Sequence, residues 1–198
     1  PEMYMTPLTQ AGMLIINTLV GLYLLLVVLR FLLQLVRADF YNPISQFIVK
    51  ATNPPLIPLR KVIPGWGGVD ISSLVLALLV QAIAIVLILL LNGIQPPVQV
   101  AIWAGIGVLS LLLKIFFWGL LITVIASWIA PNSYNPALIL INQILEPAIK
   151  PIRKILPDMG GIDISPIIAF LLIQVLEILL VKSLVQASGM PSGLVMGL

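Results

Sequence analysis

The chain contains no cysteine and no histidine. Those absences exclude disulfides, thiolate nucleophiles and iron–sulfur ligation, and with them imidazole bases and imidazole metal ligands. Charge is scarce as well. Asp, Glu, Lys and Arg supply 9% of the 198 residues, against about 25% in an ordinary soluble domain. Hydrophobic residues supply 61%, a composition suited to lipid. The net charge of +3 is what basic residues in cytosolic loops produce in a membrane protein, and it is not read as a nucleic-acid surface. The first ten residues, PEMYMTPLTQ, lack the basic lead and small-residue cleavage site of a signal peptide. They are expected to form a short exterior tail.

Four apolar stretches approach the roughly 20 residues that cross a bilayer. They run from about 13 to 36, 71 to 91, 98 to 129 and 164 to 185. ADFYNP ends the first, a turn containing Gly93, Pro96 and Pro97 separates the second from the third, and APNSYNP ends the third. A flexible tail, SGMPSGLVMGL, is expected after the fourth.

The chain repeats itself at a constant offset of 93 positions. Tyr41, Asn42 and Pro43 recur as Tyr134, Asn135 and Pro136, and Arg60, Lys61 and Pro64 as Arg153, Lys154 and Pro157. Gly67, Gly68, Asp70 and Ser72 recur as Gly160, Gly161, Asp163 and Ser165, and Gln81 as Gln174. This reads as a duplication, with one unit over residues 1–93 and another over 94–198. The expected fold is an all-α polytopic membrane protein of four transmembrane helices, arranged as two helix-loop-helix repeats. Basic residues concentrate in the two long connections: Lys50, Arg60 and Lys61 in one, Lys150, Arg153 and Lys154 in the other. The short link between units, 92–97, carries none. The positive-inside rule therefore places both long loops in the cytoplasm and both termini outside. Two spans per unit make the repeats parallel.

Each loop opens with Asn-Pro, the pattern of an N-cap followed by proline in the first helical turn. Asn42 and Asn135 are assigned that role. A short helix with one wetter side should follow, lying along the interface or re-entering the bilayer. Pro54, Pro55 and Pro58, like Pro147 and Pro151, are expected to end it, so that Arg60-Lys61 and Arg153-Lys154 fall in a rigid turn. These four cations can anchor the loop at anionic headgroups or offer a docking surface for a membrane or cytosolic protein. The Gly-Gly pairs lack the spacing and strand-turn-helix setting of a phosphate loop and read as turn residues. Asp70 and Asp163 are expected to cap the next span and pair with Arg60 and Arg153. No base or nucleophile accompanies either aspartate, so the pattern assigns no catalytic, cofactor or metal site.

Polar groups inside the spans are the remaining candidates, since such groups face a bundle interior or a cavity. Arg30, Lys114, Gln174 and Glu177 form the expected intramembrane cluster, with Glu177 pairing to Lys114 or Arg30. The three charged members escape the repeat: Thr123, Gly21 and Ala84 stand at their counterpart positions.

The motifs FYNP (40–43), PLRKVIP (58–64) and GGVDIS (67–72), with YNP (134–136), PIRKILP (151–157) and GGIDIS (160–165), closely resemble those of the YggT family of small bacterial inner-membrane proteins. Relatives of that family occur in cyanobacteria and chloroplasts. The resemblance implies a non-enzymatic integral inner-membrane protein with two such domains, associated with osmotic or salt stress tolerance and ion uptake. Its plastid relatives are linked to cytochrome b6 maturation and to nucleoid or plastid-division phenotypes. A chain without His or Cys would serve a maturation role only as an assembly partner, and no cofactor is implied. Two functions remain open on these residues: an envelope accessory or scaffold whose basic loops bind a partner or headgroups, and an ion-transport component. Four spans make a thin pore, so the second calls for a homo-oligomer.

Overall fold

The computed structural model describes residues 6–157, 160–161, 163–195 and 198. Half of the expected exterior tail, residues 1–5, lies outside the described residues, as does part of the second glycine turn; of the other half, Thr6 caps α1 and Pro7–Gln10 form its first turn. The described residues form six helices: α1 (Pro7–Leu35), α2 (Pro43–Val62), α3 (Ile71–Leu91), α4 (Val100–Ile129), α5 (Pro136–Ile155) and α6 (Ser165–Ser188). Helices α1, α3, α4 and α6 are long and apolar enough to cross a membrane. Helix α4 begins 93 positions after α1, and α5 repeats the bounds of α2 at the same displacement. Within α6, residues Glu177–Lys182 form a π-helical segment. The equivalent stretch of α3 is ordinary α-helix.

Helix α1 packs most extensively on α3, and α3 in turn on α4. The larger core joins Leu24, Val27, Val28 and Leu33 of α1 to Ile48 and Leu56 of α2 and Leu76 of α3. A second core, toward the other end of the spans, gathers Met13, Ile85, Ile88, Trp103 and Val181. The chain after α6 joins it: Met190, Leu194 and Val195 are buried there, and the Trp103 indole N–H donates to the Ser188 carbonyl at 3.2 Å. The expected flexible tail is instead packed through Val195. Its apolar side chains have the core of α1, α3 and α4 to cover.

The prolines do not stop the loop helices. Pro54, Pro55 and Pro58 lie inside α2, and Pro147 and Pro151 inside α5. The Arg-Lys pairs accordingly occupy the last helical turns and not a turn beyond them, where cations complement the helix dipole. The reason is visible in the backbone accounting. A proline lacks the N–H that would bond the carbonyl four residues earlier, so Pro55 orphans the Ala51 carbonyl. The Tyr23 hydroxyl of α1 donates to that carbonyl at 3.1 Å. Two turns further along α1, the Arg30 guanidinium donates to the Val49 carbonyl, the Thr52 hydroxyl and the Asn53 side-chain oxygen at 3.0–3.2 Å. Two side chains of the first span thus hold the proline-bearing centre of α2.

The second unit keeps two of these prolines, Pro147 and Pro151, but has neither the third nor the residues that serve it. Ala148 occupies the place of Pro55, Phe116 that of Tyr23, Leu145 that of Thr52 and Thr123 that of Arg30. The corresponding packing is apolar: Phe116, Leu120, Leu145 and Ala148 line a cavity of about 280 Å³ between α4, α5 and α6.

This correspondence sets up a double-mutant cycle. Tyr23→Phe should lower the unfolding free energy in detergent by about 1 kcal/mol, the usual worth of one hydrogen bond. In a Pro55→Ala background, the restored N–H of residue 55 can take the Ala51 carbonyl, and the same substitution should be close to neutral. Additive losses in the two backgrounds would show that the tyrosine does not serve the carbonyl.

Candidate functional site

The loop helices meet at their N-termini. Asn42 and Asn135 each accept from the amide two residues on, Ile44 and Ala137, at 2.9 Å. Asn42 is buried, and its side-chain N–H also donates across to the Pro136 carbonyl at 2.9 Å. Nearby, the Asp39 amide donates to the Gln143 side-chain oxygen at 3.2 Å. Helices α2 and α5 are therefore tied into one surface.

At its far end, α2 returns to the start of α3. Arg60 donates to Asp70, whose carboxylate also accepts from the Ser73 hydroxyl at 2.6 Å and the Ser73 amide at 3.3 Å. The Ser72 hydroxyl donates to the Ile63 carbonyl at 3.1 Å. Between them, Trp66 and Val69 exchange backbone hydrogen bonds around Gly67 and Gly68. Both glycines have positive φ, 61° and 79°, which a two-residue turn of this hand demands at successive positions. Gly160 and Gly161 repeat it at 69° and 89°. A polar cavity of about 340 Å³ lies against this turn, lined by Gln34, Arg60, Trp66, Asp70 and Ser72.

The second copy of the motif is wetter. Arg153 pairs with Glu146 at 3.1 Å and with Asp163 at 3.6 Å, and all three side chains are exposed. Asp163 accepts from the Ser165 amide at 2.9 Å, but Ile164, not the aspartate, is the N-cap residue of α6. Both arginines are thus engaged with carboxylates of their own unit. Lys61 and Lys154 are exposed beside them.

Inside the spans the expected cluster divides. Lys114, Gln174 and Glu177 line one cavity of about 230 Å³ between α4 and α6, with Phe117 and Trp118. Lys114 and Glu177 interact electrostatically, and Glu177 is the first residue of the π-helical segment. Arg30 is not among them; it is committed to α2. Its reach toward α2 followed from a loop helix packed alongside α1, which no spacing in the sequence announced. Lys114 also borders a second cavity, of about 320 Å³, with Asn17, Thr18 and Gln81. Gln81 is buried over Gly107, where a Cβ would stand 2.7 Å from its side-chain oxygen. Asn17 and Thr18 belong to no motif of the repeat and are not among the residues that the sequence reading names. Their signal was simply polarity within an apolar run. Among the described residues, no group of three His, Cys, Asp or Glu could hold a metal ion.

The boundary aspartates differ in burial, and this gives a pH test. Burial opposes ionisation of Asp70, but hydrogen bonds from Ser73 and Arg60, with the charge of Arg60, outweigh it and hold the carboxyl below its ordinary value. Hydrogen bonds from Ser165 lower Asp163, with Arg153 adding to them. A depressed folded-state value contributes stability above the unfolded pKa of about 4, lost as pH falls through the folded value. Asp70→Asn should lower the unfolding temperature at pH 7 and flatten its decline below pH ~4. Asp163→Asn, at an exposed site, should change both much less. Equal effects would contradict the contrast in burial.

The comparisons with known proteins agree on one family. The CCB3/YggT family model matches residues 9–91 and again 102–184, two stretches displaced by the 93 positions that separate the motifs. An uncharacterized protein of Pseudomonas aeruginosa, PA0392, is 54% identical over 193 residues, covering 96% of this chain and 98% of its own. An uncharacterized Vibrio alginolyticus protein from the proC 3′ region is 39% identical over 163 residues, covering 81% and 88%. The uncharacterized protein YggT of Escherichia coli K12 is 38% identical over 178 residues, covering 88% and 91%. No solved structure matches. With apolar spans, two Asn-Pro loop helices and two family matches along its length, the chain belongs to the CCB3/YggT family.

Proposed function

We propose that this chain is a non-enzymatic accessory of the bacterial inner membrane, built of two parallel units, with both termini periplasmic. On this reading α2 and α5 lie at the cytosolic boundary as one basic platform for lipid headgroups or an acidic partner. The observation that carries the reading is the tie between the two loop helices through Asn42 and Pro136, which makes a single rigid surface from two loops. Lys61 and Lys154, with Lys50 and Lys150, are its exposed lysines. Arg60 and Arg153 shape the surface from within their ion pairs.

A second reading has its own observation. Lys114, Gln174 and Glu177 share one cavity in the apolar part of the chain, and π-helical segments are frequent at functional sites. An ion-conducting component, in keeping with the osmotic-stress associations of the family, would use that polar region.

Two measurements separate the readings. Lys61→Glu with Lys154→Glu should reduce retention of anionic over zwitterionic lipid in mixed nanodiscs by on the order of tenfold or more, since each cation near an anionic surface contributes about 1 kcal/mol. Unchanged lipid retention, with no acidic partner lost either, would remove the platform reading. In proteoliposomes, flux of protons or alkali cations that Glu177→Gln abolishes would establish the second reading, and sealed vesicles would dismiss it.

A further inference from the structure

The 93-position displacement relates helix faces as well as motifs, and it leaves two faces without the partner that their counterparts have. Within the chain, α3 packs on α4. Ile85, Ile88 and Leu89 meet Val100, Trp103 and Ala104 in one core, and Gln81 lies on Gly107. Moved by 93 positions, the α3 side of this contact becomes a strip on α6. There Gln174 and Ile178, counterparts of buried Gln81 and Ile85, are exposed, as are Ile167 and Leu171 on the same side; Val181, counterpart of Ile88, is buried in the second core, so the open strip ends before it. Moved back by 93 positions, the α4 side becomes a strip on α1: Pro7, Gln10, Ala11 and Leu14, all exposed. Thr18, one turn beyond Leu14, is exposed too.

A third vacancy has the same origin. Asn42 is buried because its amide reaches the start of the next unit's loop helix, at Pro136. Asn135, its counterpart, is exposed.

We infer that a second copy covers these exposed places: α6 of one copy packs on α1 of the next, as α3 packs on α4 within the chain. Lipid would satisfy the apolar members of the strip; Gln174 lies where the strip meets the cavity of Lys114 and Glu177, and the part of its amide turned outward gains from a polar partner that lipid does not supply. Thr18 and Asn17 stand within one turn of Leu14, the residue equivalent to Gly107, and bring hydrogen-bonding groups to the level of Gln174. Polar side chains of this kind join helices within membranes. Leu14 also fills the space that Gly107 leaves to Gln81, so the amide must turn aside toward Thr18 and Asn17. The contact is head-to-tail, joining different faces of identical chains, and such contacts build rings or filaments. This inference does not depend on the platform or the ion-conducting reading.

The absence of cysteine makes the test direct. Leu14→Cys and Gln174→Cys chains carrying different tags are co-expressed and oxidised in native membranes. A disulfide-linked pair containing both tags should form in the mixture and in neither variant alone. Ala11→Cys with Ile178→Cys provides a second pair should either of the first variants fail to fold. Gln174→Cys with Ile83→Cys, on an exposed face of α3, should not link. Three results would overturn the inference: no mixed product from either pair, equal linking of the Ile83 control, or a Leu14→Cys/Gln174→Cys double variant that closes within one chain.

Discussion

Every backbone polar group buried away from water must find a partner, and this constraint shapes the first unit. Helix α2 contains three prolines, and α1 supplies hydrogen-bond donors at its proline-bearing centre, including one for the carbonyl that Pro55 leaves without a donor. Tyr23 takes the Ala51 carbonyl, and Arg30 takes the Val49 carbonyl together with the Thr52 and Asn53 side chains. The loop helix cannot swing away from the span without exposing those groups. Arg30, a charge inside an apolar helix, therefore has a structural use that removes it from any shared site with Glu177. Its buried guanidinium is tolerated because three of its contacts are hydrogen bonds to oxygen.

The same constraint explains how the two units diverged. At Ala148, the counterpart of Pro55, the backbone keeps its N–H, so the carbonyl of Ile144 needs no outside donor there, and Phe116 stands in the place of Tyr23. Freed from the clamp, the second unit packs α5 through Phe116, Leu145 and Ala148, leaving an apolar cavity. Its polar residues moved to a different place. Lys114 and Glu177 occur only in the second unit, on the cavity between α4 and α6. The boundary motifs stayed alike while the interiors parted. The ends of both units solve one problem, which is turning the chain from a loop helix into a span.

Legibility in the sequence followed how local each interaction is. Span positions were readable because the length and apolarity of a helix are local, and the second span was expected at 71–91, where α3 lies. The Asn42 and Asn135 caps, the glycine turns and the Arg60–Asp70 pair involve neighbours in sequence and were read from spacing. The proline reading failed because it applied a local rule to residues whose cost is met from α1, 28 positions away in the case of Tyr23 and Ala51. The tail after α6 was read as flexible from its glycines and serines. Its fate was decided by Met13, Ile85 and Trp103, far off along the chain. Asn17 and Thr18 escaped notice because an uncharged polar residue in a span is common, and only the cavity gives these two a setting.

Burial of the two glutamines brings the architectural argument to a point. Gln81 and Gln174 hold the same place in the two units and have opposite surroundings: one is covered by α4 and the other is open. Their helices differ just beyond them: Glu177 and the π-helical segment follow Gln174, whereas α3 continues as ordinary α-helix with Ala84 in the place of Glu177. Gln81 is covered where α4 brings Gly107 against it, while Gln174 stands at the exposed edge of the cavity that Lys114 and Glu177 line. A buried amide without a polar neighbour is costly, and Gln174 has charged side chains within its cavity. The same residue type at equivalent places thus serves close packing in one unit and a polar cavity in the other.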